Sequence, residues 1–407
     1  MVWPAQALLA ALLSVLVLWP LPAHAQTDDP LYPQQWGLHV IGAERAWEIS
    51  RGEGVIIAII DTGVDLDHPD LENKLIQGFS LVDDAGPQDR HGHGTLIAGI
   101  AGAATGNGEG IASVAPDAKI LPARVFDLEG NATSSKVSDA IRLAVDTAER
   151  KDAKLVLNLS FVGPADSSPL PGRDPAGAIF RDAAVRRAIE EAAAGGAVVV
   201  AAAGNDGTDT TAFDAPDGSG MIVVGASDQQ GRCAPFTNYG IGLDILAPGV
   251  GIVSTFLNSD DRDSGYAHAD GTSIAVPAVS GAAALLLSEG MSNVEAVERI
   301  LSSAQGPAVN CGGGSQSYRV LDVAAALSAG DDEVGPEDRD RLSLPSLLHP
   351  AEQDNPVPME TPAPAAAAPP SDGVVLLTDV TALRALAAAA LLAVSTLLWS
   401  RSAKPKD

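Results

Sequence analysis

Val55-Ile56-Ile57-Ala58-Ile59-Ile60-Asp61-Thr62-Gly63-Val64-Asp65 decides how this chain is read. Val55 to Ile60 carry no polar side chain and are mostly β-branched, which suits a strand covered on both faces, as inner strands of parallel sheets are. The run ends on Asp61, placing a carboxylate at the carboxyl end of a strand, where open α/β sheets build their sites. A turn aspartate is the plainer reading of Asp61, so partners elsewhere must decide.

Outward from that strand, the pattern alternates. His91-Gly92-His93-Gly94-Thr95 leads into the small, apolar segment Leu96 to Ala104, a buried helix with His93 at its start. Two histidines one residue apart evoke a metal, but no cysteine or acidic pair stands at zinc spacing, so a base is the better reading. Ile111 to Val125 reads as a short strand pair around Ala115-Pro116, and Val137 to Arg150 has helical spacing. Leu155 to Phe161 is a further inner strand, Pro164 to Pro175 a surface loop, and Ala178 to Ala194 a helix charged on one face. Val198 to Ala203 is again wholly apolar and stops at Gly204-Asn205. Met221 to Ala226 and Leu243 to Leu246 continue the strands, and Val294 to Ser302 and Leu321 to Ser328 close the domain as helices. Buried strands alternating with helices predict a doubly wound α/β domain, its mainly parallel sheet covered by helices on both faces.

Gly271-Thr272-Ser273-Ile274-Ala275-Val276-Pro277 runs into the alanine- and leucine-rich segment Ala278 to Ser288. The glycine permits a tight turn and the apolar run is a buried helix, so Ser273 falls at a helix N-terminus. Capping is the commonest work of such a serine. A nucleophilic serine needs a histidine base, a carboxylate to orient that base and donors for the oxyanion. His93, Asp61 and Asn205 supply those types.

The 407 residues are 46% hydrophobic, enough for a large core, and 25 Lys plus Arg against 52 Asp plus Glu give a formal charge of -27. So acidic a chain excludes nucleic acid as a partner. Ala5 to Trp19 is apolar and Ala23-His24-Ala25 is a small-x-small cleavage site, so residues 1–25 read as a signal peptide, with an uncleaved N-terminal anchor as the alternative. In an exported chain Cys233 and Cys311 would form one disulfide, two buried thiols being the alternative. The main domain would span 26–329, with Gln26 to Trp47 as an arm packed on it. Residues 330–373, acidic and then rich in Pro and Ala, read as a linker. Residues 381–399 are mostly Ala and Leu and precede the basic tail 400–407 with Arg401, Lys404 and Lys406. This predicts a transmembrane helix with its tail in the cytoplasm, against the alternative of a soluble amphipathic helix. The domain would then be exported and anchored at the outer face of the cytoplasmic membrane, in a periplasmic or extracellular position.

Asp61 after an inner strand, His93 opening a helix, Asn205 ending a strand and Ser273 opening another helix stand in that chain order. The four blocks together resemble the subtilisin family of serine peptidases over roughly residues 30–329. The resemblance implies that Ser273 attacks a peptide carbonyl, His93 carries the proton and Asp61 orients the imidazole. It further implies that Asn205 and the Ser273 amide hold the oxyanion, with peptides or proteins as substrates. By the same resemblance, Ser160, Phe161 and Val162 flank one side of the substrate and Gly130 the other, while Ala202 and Gly204 line the first specificity pocket. Val162 stands where the family usually has glycine, and Ile274 where it commonly has an oxidisable methionine. Asp70 and Asn107 match positions used for calcium in many relatives; no organic cofactor is implied. Only a handful of residues separate Ala25 from Tyr32, so no room is expected for an inhibitory propeptide. A catalytically inactive, membrane-tethered binding or scaffold protein on the same fold is the alternative function, and an esterase or amidase using the same triad is a third.

Overall fold

Val55–Asp61 forms strand β1, buried at every residue. Its side chains alternate between two cores: Ile57 and Ile59 face one, and Ile56, Ala58 and Ile60 the other. That division is why the run needs no polar position. The computed structural model describes residues 27–83, 86–128, 130–161, 178–209, 221–240, 242–257, 265–313 and 316–328.

The other strands are β2 (Phe79–Ser80), β3 (Lys119–Arg124), β4 (Lys154–Leu159), β5 (Val198–Ala202), β6 (Met221–Ser227), β7 (Ile245–Pro248), β8 (Ile252–Thr255), β9 (Tyr266–Ala269), β10 (Gln305–Asn310) and β11 (Ser317–Val320). Nine of these form one sheet in the order β10-β11-β7-β6-β5-β4-β1-β3-β2, while β8 and β9 pair as a separate hairpin. All pairings in the large sheet are parallel except β10 with β11. β1 lies between β3 and β4, with Ala58 opposite both Leu121 and Leu157. The chain therefore leaves β1 toward either side, a switch point that opens a crevice beyond the carboxyl ends of the strands.

The helices are α1 (Trp36–Val40), α2 (Ala43–Trp47), α3 (His93–Gly102), α4 (Ser134–Arg150), α5 (Ala178–Arg181), α6 (Ala183–Ala194), α7 (Thr272–Ser288), α8 (Asn293–Ser302) and α9 (Val323–Ser328). α3 and α7 share one core with Ile57 and Ile59, and α4 and α6 share the other with Ile56 and Ile60. α7 is apolar on all sides because it is buried on all sides. Among the described residues no helix is long and apolar enough to cross a membrane.

The N-terminal arm is pinned by hydrogen bonds from Leu31 N to Gly110 O, from Gln35 Nε2 to Ala112 O and from Trp47 Nε1 to Val114 O. Cys233 and Cys311 are bridged, joining the loop after β6 to the turn of the β10–β11 hairpin.

Three expectations change. Ile111 to Val125 contains one strand rather than two, because the amides of its first half are taken elsewhere. Ile111 N bonds Asp70, Ala112 N bonds Gln35, and Val114 N and Ala115 N bond the carbonyls of Ile100 and Ala101 in α3. The helix expected over 178–194 breaks at Asp182, whose carboxylate accepts from Ala184 N and Val185 N and so starts a new helix. The β8–β9 hairpin was not anticipated; its strands have four residues each. The signal peptide, the 164–175 loop, Val162, the linker 330–373, the span 381–399 and the tail 400–407 lie outside the described residues.

Candidate active site

Asp61 is the last residue of β1 and 1% exposed, and His93 is the first residue of α3. Gly94 lets the two elements close: a Cβ at that position would lie 2.0 Å from Gly63 O. The imidazole Nδ1–H donates to Asp61 at 2.8 Å from Oδ1 and 3.0 Å from Oδ2. Thr62 N donates to Asp61 Oδ1 at 2.7 Å, and Gly94 N to Thr62 Oγ1 at 2.9 Å. The carboxylate thus fixes the tautomer that leaves Nε2 free to accept a proton. Burial pulls the His93 pKa down, but the charge and hydrogen bond of Asp61, with the charge of Asp89, outweigh it and hold the imidazole above its ordinary value.

Ser273 is the second residue of α7 and half-buried. Before it, Gly271 takes φ +150°, and a Cβ there would sit 3.0 Å from Ser273 Oγ and 3.6 Å from Asn205 Nδ2. The glycine leaves open the space between the Ser273 hydroxyl and the Asn205 amide. Farther along, Pro277 has no amide to return to the Ser273 carbonyl, an omission that α7 tolerates within its first turns.

Asn205 follows β5 and is exposed. Its Oδ1 accepts from Thr272 N at 2.9 Å and Thr272 Oγ1 at 3.1 Å, which assigns the amide orientation and turns Nδ2 away as a donor. Thr272 Oγ1 also accepts from Gly204 N at 3.0 Å. Thr272, missed in the sequence, therefore ties the nucleophile's helix to the end of β5. Among the described residues no hydrogen bond joins His93 to Ser273, a contact that commonly tightens only when substrate is bound.

Of the residues expected around substrate, Val162 lies outside the described residues and the others stand as follows. Ala202 ends β5, and Gly204 takes φ +101° beside Asn205. Ser160, 1% exposed, accepts from Asn158 Nδ2 at 2.8 Å, and Asn158 Oδ1 in turn accepts from Ser280 Oγ of α7 at 2.9 Å. Gly130 has φ +81° in the loop before α4. The Phe161 ring is buried, edge-on to Phe126 at 5.1 Å and stacked on Phe180 at 5.8 Å, so it serves as packing beneath the edge.

Asp70 and Asn107, 37 residues apart, come together: Asn107 Nδ2 donates to Asp70 Oδ1 at 3.0 Å. Asp70 Oδ2 accepts from Ile111 N at 3.0 Å and Tyr266 OH at 2.8 Å. Asp29, missed in the N-terminal arm, accepts from Gly106 N and Asn107 N beside them. Two carboxylates and an amide oxygen are hard donors of the kind calcium takes, although Asn107 turns its nitrogen toward Asp70. Among the described residues no three His, Cys, Asp or Glu side chains gather as a metal cluster.

Comparison with known proteins identifies the family. Residues 52–331 match the model of the Subtilase family. The chain is 41% identical over 284 residues to a thermophilic serine proteinase of Bacillus sp. (strain AK1), covering 69% of this chain and 64% of that protein. It is 40% identical over 267 residues to thermitase of Thermoactinomyces vulgaris, covering 65% of this chain and 86% of thermitase. Among solved structures, a protease from Pseudoalteromonas arctica PAMC 21717 superposes with a TM-score of 0.62 at 25% identity, over 74% of this chain and 99% of that one. The family match, these relatives and the sheet with its helices agree: the chain belongs to the Subtilase family of serine endopeptidases.

Proposed function

We propose that this chain cleaves peptide bonds in peptides or proteins with Ser273 as nucleophile, His93 as general base and then acid, Asp61 as the group that orients His93, and Asn205 as an oxyanion donor. The observation that carries the reading is the Asp61–His93 contact at the start of α3, together with α7, in whose first turn Ser273 stands beside an Asn205 amide that Thr272 orients. Ser273 Oγ attacks the carbonyl while His93 Nε2 takes its proton. The imidazolium, steadied by Asp61, then returns that proton to the leaving amine. Asn205 Nδ2 and the Ser273 amide receive the negative oxygen, one such donor being worth on the order of 10²-fold or more in rate. Labelling with a serine-reactive phosphonate tests it: the wild type should be labelled at Ser273 and the Ser273→Ala variant not at all. Label elsewhere in the active wild type would overturn the assignment.

The tether belongs to the same proposal. A signal peptide at 1–25, a peptidase domain at 26–329, a linker at 330–373, a membrane span at 381–399 and a basic tail at 400–407 would hold the domain at the outer face of the cytoplasmic membrane. Its support is the apolar run and the positive residues that follow it. Carbonate extraction should leave the full chain in the membrane and release a form ending at Gly330; equal release of both removes the anchor.

Calcium at Asp70 and Asn107, with Asp29, is proposed as a stabilising ion remote from the chemistry. Bound there it would crosslink the N-terminal arm to the 105–110 turn, and chelation should lower the melting temperature of the wild type but not of Asp70→Asn.

A further inference from the structure

Asp89 stands four residues before His93 and is 2% exposed. Its Oδ1 accepts from His91 N at 2.8 Å and Gly92 N at 2.9 Å, and its Oδ2 from Thr95 N at 3.0 Å and Thr95 Oγ1 at 2.7 Å. Helix starts leave amides without partners, and Gly92, at the cap position of α3, has no side chain to serve them. The Asp89 carboxylate does so from outside the helix and grips the chain on both sides of His93.

The grip extends to β1. Thr95 Oγ1, while donating to Asp89, accepts from Asp65 N at 2.9 Å, and Asp65 Oδ1 accepts from Gln88 Nε2 at 3.0 Å. With the Gly94–Thr62 bond, the loop that follows Asp61 is tied to the first turn of α3 at two successive residues. We propose that Asp89 is a positioning residue for catalysis: through Thr95 it sets the spacing of Asp61 and His93, and its charge favours the imidazolium formed when Ser273 gives up its proton. This rests on His93 being the general base.

Among the described residues, the charged groups that act on the imidazole are Asp61, at the end of β1, and Asp89, from the loop before α3; α7 and β8 carry no acidic or basic side chain. Loss of the Asp89 charge therefore has a direction, a lower His93 pKa.

The test is steady-state hydrolysis of a peptide substrate by the full chain and by its Asp89→Ala, Asp89→Asn and Ser273→Ala variants, across the acid limb of kcat/KM. Asp89→Ala should lose about tenfold or more in kcat with KM within about twofold, and its acid limb should move to lower pH. Asp89→Asn, uncharged but still an acceptor, should recover part of kcat and keep the displaced limb. Should Asp89→Ala not fold, the limb and kcat of Asp89→Asn decide in its place. A variant that melts at lower temperature with kcat and limb unchanged would reduce Asp89 to a helix cap and overturn the proposal. Turnover persisting in Ser273→Ala would instead overturn the active-site reading on which it rests.

Discussion

The two faces of the sheet are covered by helices of opposite character. On one face, α3 and α7 bring one ionisable side chain between them, His93, and bury nearly every residue. On the other, α4 and α6 are amphipathic, with Val137, Ile141, Val185 and Ile189 turned inward and Lys136, Arg142, Arg186 and Glu190 outward. An Arg142–Glu191 pair at 3.9 Å joins them, its side chains 44% and 60% exposed, a contact worth little in water. His93 and Ser273, the proposed base and nucleophile, stand at the N-termini of the buried helices. A wholly packed helix has little freedom to tilt, so the residue at its tip is held to the tolerance that catalysis needs.

Substitutions can break this contrast. The largest effect should be that of Ser273→Ala at the tip of α7, a loss of about a thousandfold or more in kcat with the fold retained, read by peptide hydrolysis and circular dichroism. Next is Gly99→Val in the middle of α3. A Cβ there would sit 2.2 Å from Thr255 Oγ1 and 2.5 Å from Ser254 Oγ, hydroxyls that donate to the carbonyls of Thr95 and Leu96. Overpacking and lost hydrogen bonds should together cost about 2–4 kcal/mol in denaturant unfolding, measured on the Ser273→Ala background to prevent self-digestion.

A pH profile sharpens the contrast further. Because α3 and α7 carry one ionisable group and Asp61 and Asp89 raise its pKa, the acid limb of kcat/KM should be a single transition centred above the ordinary histidine value of about 6.5. The sign follows from the base role: protonated His93 cannot accept, so activity falls as pH drops through its raised pKa. Two overlapping transitions would point to a second essential group.

The other face should respond weakly. Thr133→Ala removes the side chain that accepts from Lys136 N at the start of α4, and should cost about 1 kcal/mol with kcat unchanged. Glu190→Ala, on the exposed side of α6, should stay within about 0.5 kcal/mol in the same unfolding measurement. A larger effect at Glu190 would mean that this surface is covered.

The same contrast explains what could be read from the chain. β1, β4, β5, α3 and α7 were legible because burial on both faces writes long apolar runs, broken in β4 by Asn158 and in α7 by Ser280, and Asp61, His93, Asn205 and Ser273 stand at the boundaries of such runs. β8, β9, β10 and β11 were not: they are short, and β10, exposed at nearly every residue, has no alternation to betray it. Ile111 to Ala115 misled because it is apolar and extended, yet its amides bond side chains and helix carbonyls. Within the site, Thr272 and Asp29 carry no local signal: a threonine beside a serine and an aspartate in a turn are commonplace, and what they do exists only in bonds that span 67 residues for Thr272 and Asn205, or 77 for Asp29 and Gly106. Asp89 bonds within six residues, but from outside the cap position of α3.

The bond from Thr272 to Asn205 makes Ser273, the proposed nucleophile, and Asn205, the proposed oxyanion donor, move as one part. Thr272 precedes Ser273 directly and holds both the Asn205 amide oxygen and the Gly204 amide. Thermal breathing between β5 and α7 must first break three hydrogen bonds before it alters the spacing of donor and nucleophile. Slack is therefore displaced to the opposite joint, between His93 and Ser273, where among the described residues no hydrogen bond stands and where, on the proposed mechanism, proton transfer requires fine adjustment.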